Sequence, residues 1–405
     1  MFAAVVGQSW ATAAHPFNLE VNGTDRIAAA HYPSIQIEMP GPGSNGSMQF
    51  TLYDPDASIS VMEWDEVRFI EHAATRPILF GGFVQSVRYV AWAGPGRALV
   101  VTCVGYGILL DRKAVPEFPF DLGLLNNDAM RRLVPIVNRH GGLLTASAPS
   151  SPGPMDATYS IPNTSGYWAF ATSDWISQTT AKTLRQIIEY VLANTQYWGG
   201  AVNEAASGSY WADSGRRVVV LPDLPADADA TNLARQYDSG DVPGLTVDES
   251  GTLAVTDWDY EREDTDRLTS AYVQGADAGS TGWYRAAPLP RAGDLEVIVT
   301  DTSSTSAANI PVLGGSAVRQ TEGSTARGST TISSEVPLDI WPGRNIRTTS
   351  TGVSLSDADW RITGVNIAFA SATHRTYSIA FGGNVPRPSM ARRSGRHAPR
   401  PGRSF

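Results

Sequence analysis

Apolar and polar residues alternate with a period of two along the first part of the chain. Ile35, Ile37 and Met39 are separated by polar neighbours, and the pattern returns at Met48, Phe50 and Leu52. Between the two runs lies the Gly- and Asn-rich break GPGSNG at 41–46. Because successive side chains of a strand point to opposite faces, two such runs around a short turn predict a β-hairpin.

Three further strands are predicted before residue 115. They span residues 66–70, 78–87 and 99–104, and the last one ends at Gly105-Tyr106-Gly107. Glycines at bends allow short strands to curve strongly. The pattern therefore predicts a small, curved, partly closed β-barrel-like domain over residues 1–115.

The middle of the chain changes to helical periodicity. A helix is predicted over 181–193, with apolar residues on one face at Leu184, Ile187, Ile188, Val191 and Leu192. A shorter helix is predicted within 124–138 and is limited by Pro135, because proline interrupts helices. A Ser/Pro/Gly loop at 145–154 and a strand at 216–221 complete a mixed α/β insert over 116–255.

Strands return in the last third. They are predicted at 268–275 and 295–300, whereas the Ser/Thr/Gly-rich stretch 302–334 predicts a long loop or a weak hairpin. Residues 360–369 and 376–381 predict a hairpin joined by a link at 370–375. The expected fold class is therefore mainly β with an α/β insert, in which two small β-barrel-like domains, 1–115 and 256–385, flank a mixed middle domain.

Composition excludes several classes of protein. The 405 residues are 42% hydrophobic, which is enough to form real cores. The single cysteine, Cys103, excludes an internal disulfide framework and a Cys-based zinc site, and its apolar surroundings predict a buried side chain. No apolar run approaches the roughly 18 residues of a membrane helix, and residues 1–10 lack the basic start of a secretory signal. We therefore expect folding in a cytoplasm and no membrane segment.

Motifs of catalysis are missing from the sequence. GPGSNG at 41–46 formally matches the dinucleotide pattern G-x-G-x-x-G, but a strand follows it instead of a helix, so a turn is the better interpretation. There is no Gly-Lys dipeptide for a P-loop, and the six histidines never occur at i,i+4 spacing. We predict no catalytic residue, no cofactor and no metal site, and hence not an enzyme.

Acidic residues concentrate in one region. The net charge is −9, yet residues 223–266 alone contain 13 acidic residues against Arg235 and Arg262. Within this region Asp257, Asp259, Glu261 and Glu263 alternate with Trp258, Tyr260 and Arg262. In an extended strand the carboxylates share one face and the aromatic rings the other. A solvated or assembly-facing edge is the favoured interpretation, while an ion site and a pair of catalytic acids are the alternatives.

Residues 386–405 carry the opposite charge. They contain no acidic residue and six arginines, Arg387, Arg392, Arg393, Arg396, Arg400 and Arg403. A segment this polar and Pro-rich predicts a flexible tail. It is either a loose end or a basic arm that docks on an acidic partner or on nucleic acid.

The order of these parts resembles the tail hub proteins of long-tailed bacteriophages and of related contractile injection machines. The segment PILFGGFV at 77–84, followed by VVTCVGYGILLDR at 100–112, resembles the close of the first hub domain. The helix at 182–192 resembles the opening of the insert, and LTSAYVQG at 268–275 resembles the return to the second barrel. WRITGVNIAF at 360–369 with TYSIAFG at 376–382 resembles the closing hairpin, so the similarity covers about residues 1–385.

This resemblance implies a homotrimer in the virion tail tip, assembled in the host cytoplasm. Six barrels around the axis would adapt the sixfold tail tube to a threefold tip. The implied partners are the distal tail protein ring, the tape-measure protein, a central fibre or spike protein, and DNA in passage without specific binding. The carboxylates of region 223–266 are candidates for the lining of that passage.

Two other functions remain possible from the sequence. A carbohydrate- or receptor-binding tail protein would explain the aromatic residues of the insert, namely Tyr167, Trp168, Trp175, Tyr197, Trp198, Tyr210 and Trp211. Packing in a core is the favoured explanation of these aromatic residues. A cell-wall hydrolase is disfavoured, because no His/Cys or paired-acid constellation is found.

Overall fold

The computed structural model describes most of the chain between Pro16 and Gly382. The described residues are 16–74, 77–91, 96–115, 129–146, 168–170, 182–193, 195–198, 203–205, 207–223, 245–248, 253–262, 268–286, 295–300, 305–322, 326–350, 352 and 355–382.

The first part consists of strands, as the alternation predicts. They are β1 (Phe17–Val21), β2 (Thr24–Asp25), β3 (Gln36–Glu38), β4 (Ser47–Asp54), β5 (Glu66–Glu71), β6 (Ile78–Ala91) and β7 (Arg97–Gly105). Met48, Phe50 and Leu52 are buried, while their neighbours face outward. The predicted hairpin is confirmed: β3 pairs antiparallel with β4, and Gly43 and Gly46 adopt positive φ angles of 78° and 74° in the turn.

The middle part is mixed. Its elements are α1 (Ile108–Arg112), β8 (Ala114–Val115), α2 (Ala129–His140), β9 (Trp168–Phe170), β10 (Lys182–Thr183), α3 (Leu184–Ala193), β11 (Thr195–Trp198), β12 (Asn203–Ala205), β13 (Ser207–Ala212), β14 (Val218–Asp223) and β15 (Leu245–Asp248). The predicted helix at 181–193 is α3, which begins at Leu184 because the two preceding residues pair with β8.

Pro135 does not end the second helix, contrary to the prediction. Helix α2 runs through Pro135 to His140. Leu133, Ile136 and Val137 are buried in the same cluster as Leu184 and Ile187 of α3. Packing between the two helices therefore outweighs the cost of a proline inside a helix.

Strands dominate the last part again. The elements are β16 (Ala254–Arg262), β17 (Ser270–Gln274), β18 (Gly282–Arg285), β19 (Glu296–Thr300), α4 (Asn309–Glu322), β20 (Ala326–Ser334), β21 (Asn345–Ser350), β22 (Leu355–Phe369) and β23 (Arg375–Gly382). The predicted closing hairpin is confirmed as β22–β23.

The stretch 302–334 was predicted as a loop or weak hairpin, and this is wrong. It holds helix α4 and strand β20. Two adjacent glycines, Gly314 and Gly315, weaken the helical signal in the sequence. In the structure they allow α4 to approach Tyr284 closely, and Val318 on the same helix is fully buried.

One sheet joins the two ends of the chain. In the described residues it has 13 strands, and its main order is β16-β20-β23-β22-β3-β4-β7-β6-β5-β1-β2. The join is the antiparallel pair β22–β3, where Ile367 lies opposite Ile37. The mainly β class with a mixed middle is thus confirmed, but the sheets are not closed barrels. The boundaries of the predicted domains stay predictions.

A polar cluster of Glu66, Tyr106 and Arg216 connects the middle part to the sheet. Glu66 of β5 accepts hydrogen bonds from Arg216 and from the hydroxyl of Tyr106, and the Arg216 guanidinium lies 5.2 Å from the centre of the Tyr106 ring. Partial burial raises the pKa of Glu66, but the bonds from Arg216 and Tyr106 outweigh it, so its pKa lies below the usual value. Burial and the neighbouring Glu66 carboxylate raise the pKa of Tyr106 to about 12.

The Glu66 cluster should make stability depend on pH. Because its pKa is depressed in the folded chain, the stabilisation is complete above the ordinary pKa of 4.5 and disappears as the pH falls through the lower folded value. We expect Glu66→Gln to lower the free energy of unfolding by roughly 1–2 kcal/mol at pH 7. Denaturant titrations of both proteins at several pH values should show this gap shrinking below about pH 4.5. A gap that is constant down to pH 3 would contradict the assignment.

Candidate assembly interface

Strand β16 carries carboxylates along an open edge of the sheet. Asp257, Asp259 and Glu261 are exposed, whereas Trp258 and Tyr260 between them are half-buried against the main core. The ring of Trp258 meets Phe381 edge-on at 6.3 Å, and Tyr260 meets Trp360 at 5.8 Å. The aromatic face therefore anchors the strand and leaves the three carboxylates toward solvent. Glu263 lies outside the described residues.

The pairing of β16 leaves its other side open. Among the described strands it pairs only with β20. Arg327 on β20 opposes the row, and its Nε donates to Glu261 Oε2 at 2.7 Å. Both of these side chains are more than half exposed, so the pair contributes little to stability. In the part of the chain that is described, no group of His, Cys, Asp or Glu is arranged to hold a metal ion.

A groove lined by both polar and apolar residues lies on the same face of the sheet. It has a volume of about 320 Å³ and crosses the join between β22 and β3. Gln36, Gln49, Thr102, Asn366 and Ser378 line it, and Glu38 is the only charged residue among its lining. Ser378 lies opposite Thr331, and Thr331 lies opposite Asp257, so the groove and the acidic row share one face.

A second open edge lies on β6, at the other end of the eight-strand run β16-β20-β23-β22-β3-β4-β7-β6. Strand β5 pairs with β6 between residues 78 and 83, whereas β7 pairs with β6 as far as Ala91. Residues 85–91, here called the β6 extension, therefore pair with β7 alone among the described strands. Tyr89 is 53% exposed and Val90 41% exposed, and Arg88 between them is also exposed.

The sequence prediction missed the last four residues of the β6 extension, 88–91. It ended the strand at Val87, whereas β6 continues to Ala91. The signal was present, because Arg88-Tyr89-Val90 combines good strand formers just before the break at Gly94-Pro95-Gly96.

The remaining candidate residues are only partly described. Trp211 is buried in the main core, and the hydroxyl of Tyr210 donates to Glu189 at 2.7 Å, so these two aromatics serve packing. The side chains of the other aromatics named for the insert lie outside the described residues. So do all six arginines of the tail, Arg387, Arg392, Arg393, Arg396, Arg400 and Arg403. No helix of the described part is long and apolar enough to cross a membrane.

Solved structures identify the fold. No protein-family model matches the chain, and no curated protein matches it by sequence. A tail protein from Neisseria meningitidis MC58 is similar with a TM-score of 0.58 at 12% identity, over 91% of this chain and 96% of its own. The 43 kDa tail protein of prophage MuSo2 from Shewanella oneidensis has a TM-score of 0.58 at 10% identity, over 90% and 97%. The resemblance to phage tail proteins seen in the sequence is thus confirmed at the level of the fold, across nearly the whole chain.

Proposed function

We propose that this chain is a structural subunit of a phage tail tip, in which three copies form a hub ring. The ring adapts the sixfold tail tube to a threefold tip and surrounds the passage of DNA and the tape-measure protein. The observation that carries this proposal is a fold shared with two tail proteins, one of them from a prophage, over at least 90% of each chain. A non-enzymatic role is part of the proposal.

The order of the large sheet supports a sixfold arrangement built from three chains. The last part contributes the run β16-β20-β23-β22, and the first part contributes the run β3-β4-β7-β6. Each run has four strands, and the β22–β3 pair joins them into one surface. Three copies would therefore present six four-stranded runs around an axis, which fits a sixfold neighbour on one side.

The charge on the solvent-facing side of this sheet, the side opposite the core, suits a passage for DNA. The groove across the join offers amide and hydroxyl groups and one carboxylate. The row Asp257, Asp259 and Glu261 adds negative charge on the same face. Phosphates are repelled by carboxylates, and the described residues of this face form no cluster of cations, so DNA would slide without being held.

The partners of this ring would be the distal tail protein ring, the tape-measure protein and a central fibre or spike protein. Assembly would take place in the host cytoplasm before the tail tip is completed. The basic tail at 386–405 would act as an arm that docks on an acidic surface of one of these partners.

The mass of the purified protein in solution tests the ring. One chain weighs 43.3 kDa, so light scattering behind size exclusion should give about 130 kDa, three times that value. Negative-stain images of the same fraction should show a ring with an open centre. A protein that stays at the mass of one chain at every concentration would overturn the proposal.

A further inference from the structure

The small sheet of β17, β18 and β19 has one covered face and one open face. Its strand order is β18-β17-β19, and helix α4 packs against one side of it. Val273 and Tyr284 lie on that side, because a Cβ atom added to Gly314 of α4 would touch both of them. Side chains alternate along a strand, so the residues next to these point to the other side. The open face therefore carries Tyr272, Gln274, Trp283, Arg285, Glu296 and Ile298.

Two aromatic rings and one aliphatic side chain form a row across the open face. Tyr272 lies directly opposite Trp283 on one neighbouring strand and directly opposite Ile298 on the other. The row spans two strand spacings, about 9.5 Å. Trp283 is 43% exposed and Ile298 is 60% exposed. Three large side chains in one row form an exposed patch, and such a patch marks a binding surface more strongly than a single exposed residue does.

Neighbours on the same face hold the ring of Trp283 without covering it. The centre of the Tyr272 ring lies 5.0 Å from the centre of the Trp283 ring, and the Arg285 guanidinium lies 5.3 Å from it. The exposed fraction of 43% is what remains with both contacts made. A ligand therefore meets a ring whose orientation is already fixed, so that binding costs little side-chain entropy.

Hydrogen-bonding groups flank the row on both sides. Arg285 and Glu296 lie on one side, in register with each other across β17, and both are exposed. Gln274 and Thr300 lie on the other side, where the Thr300 hydroxyl donates to Oε1 of Gln274 at 3.1 Å. One positive and one negative charge balance each other, and the four side chains offer both donors and acceptors. This charge pattern fits a neutral ligand that is rich in hydroxyl groups.

We propose that this face, here called the Trp283 platform, binds a neutral β-linked polysaccharide of a cell surface. In chains of β-linked glucose or N-acetylglucosamine, the hydroxyl groups surround the rim of each sugar ring, and both faces of the ring carry only C–H bonds. Such a ring stacks on Trp283, while its rim hydroxyls bond to Arg285 and Glu296. A protein partner fits less well, because glutamate is depleted at protein interfaces and Glu296 borders the row. The platform is independent of the ring described under the proposed function.

Titration calorimetry of the full chain with three soluble sugars tests the platform. Cellohexaose and chitohexaose are neutral and β-linked, whereas the hyaluronan hexasaccharide is β-linked and anionic. We expect at least one neutral sugar to bind, and hyaluronan to bind more weakly because Glu296 repels its carboxylates. Trp283→Ala should raise the dissociation constant roughly 10-fold or more, and Trp283→Phe, which keeps an aromatic ring, should raise it less. Trp64→Ala is the matched control, because Trp64 is 57% exposed but contacts Phe83 of β6 instead of the platform.

Several results would overturn the platform. Failure of both neutral sugars to bind would do so, and so would equal weakening by Trp283→Ala and Trp64→Ala. Tighter binding of hyaluronan would exclude the neutral class of ligand. If no sugar binds and Trp283→Ala lowers the mass of the protein in solution, the face is a contact between copies. Ile298→Asn, at the most exposed residue of the row, should also weaken binding and replaces Trp283→Ala if that variant does not fold. The sugar titration and the mass in solution are separate measurements, so the platform and the ring can fail independently.

Discussion

Replacing Glu71 by glutamine is expected to destabilise the folded chain by about 3–5 kcal/mol. Both carboxylate oxygens of Glu71 contact Nη1 of Arg375, at 2.5 and 2.6 Å, and the two side chains are 2% and 3% exposed. The guanidinium also lies 5.3 Å from the ring centre of Phe17 and 5.5 Å from that of Phe369. Without the carboxylate, a buried cation would have no countercharge, and this is the costly state.

Two comparisons make the Glu71 measurement specific. Glu20→Gln removes the carboxylate from the Glu20–Arg68 pair on the neighbouring strands β1 and β5, which is 26% and 39% exposed, and it should cost less than about 1 kcal/mol. The double variant Glu71→Leu with Arg375→Met should recover much of the stability, because apolar side chains can replace a buried ion pair. Chemical denaturation at one protein concentration compares these variants with the native chain and with Glu71→Gln. A loss for Glu71→Gln as small as that for Glu20→Gln would show that the pair is not buried as described.

This ion pair illustrates what the sequence cannot reveal. The sequence prediction places Arg375 in the link between two strands, where a charged residue is ordinary. In the structure it is the first residue of β23 and is buried beside Glu71, which lies 304 residues earlier in the chain. Local patterns report whether a side chain faces a core, but they carry no information about a partner that distant.

The same reasoning separates the predictable strands from the sheet they build. The alternation at Met48, Phe50 and Leu52 was sufficient for a hairpin, because each residue's face depends only on its neighbours in sequence. The pairing of Ile367 with Ile37 was not predictable, because it depends on which edges remain open after local hairpins form. Two separate barrels were therefore expected where one continuous sheet is found.

Half of the candidate interface could be predicted from the sequence. The acidic row could be identified from its charge alternation alone, since exposed carboxylates between aromatic residues leave a clear pattern. The β6 extension is an edge because β5 ends its pairing at Phe83, and only the three-dimensional pairing contains that information. A lone arginine such as Arg88 becomes a candidate binding residue only once its strand is known to have an open side.

An alanine at Gly81 is expected to destabilise the chain by about 3 kcal/mol, the upper end of the usual cost of overpacking. A Cβ atom at this position would collide with the backbone carbonyl of Ser214 and with the ring of Tyr106. Neither neighbour can give way easily. Ser214 is held by its hydroxyl, which donates to the carbonyl of Leu79 at 3.1 Å, and Tyr106 is held by its hydrogen bond to Glu66. The added methyl group should push the turn between β13 and β14 away from the sheet and break the Glu66–Arg216 contact.

Gly364→Ala is the matched control for this substitution. A Cβ atom at Gly364 would meet only the Cβ of Ala380, at 3.7 Å, which is an ordinary contact. Its stability should change by less than about 1 kcal/mol in either direction. Thermal unfolding reports the difference in stability, and limited proteolysis reports where the chain opens. Because the turn is the point where the middle part rests on the sheet, Gly81→Ala should expose cleavage sites in the middle part before the strands of the sheet are cut. Equal behaviour of the two alanine variants would mean that the middle part does not rest on Gly81.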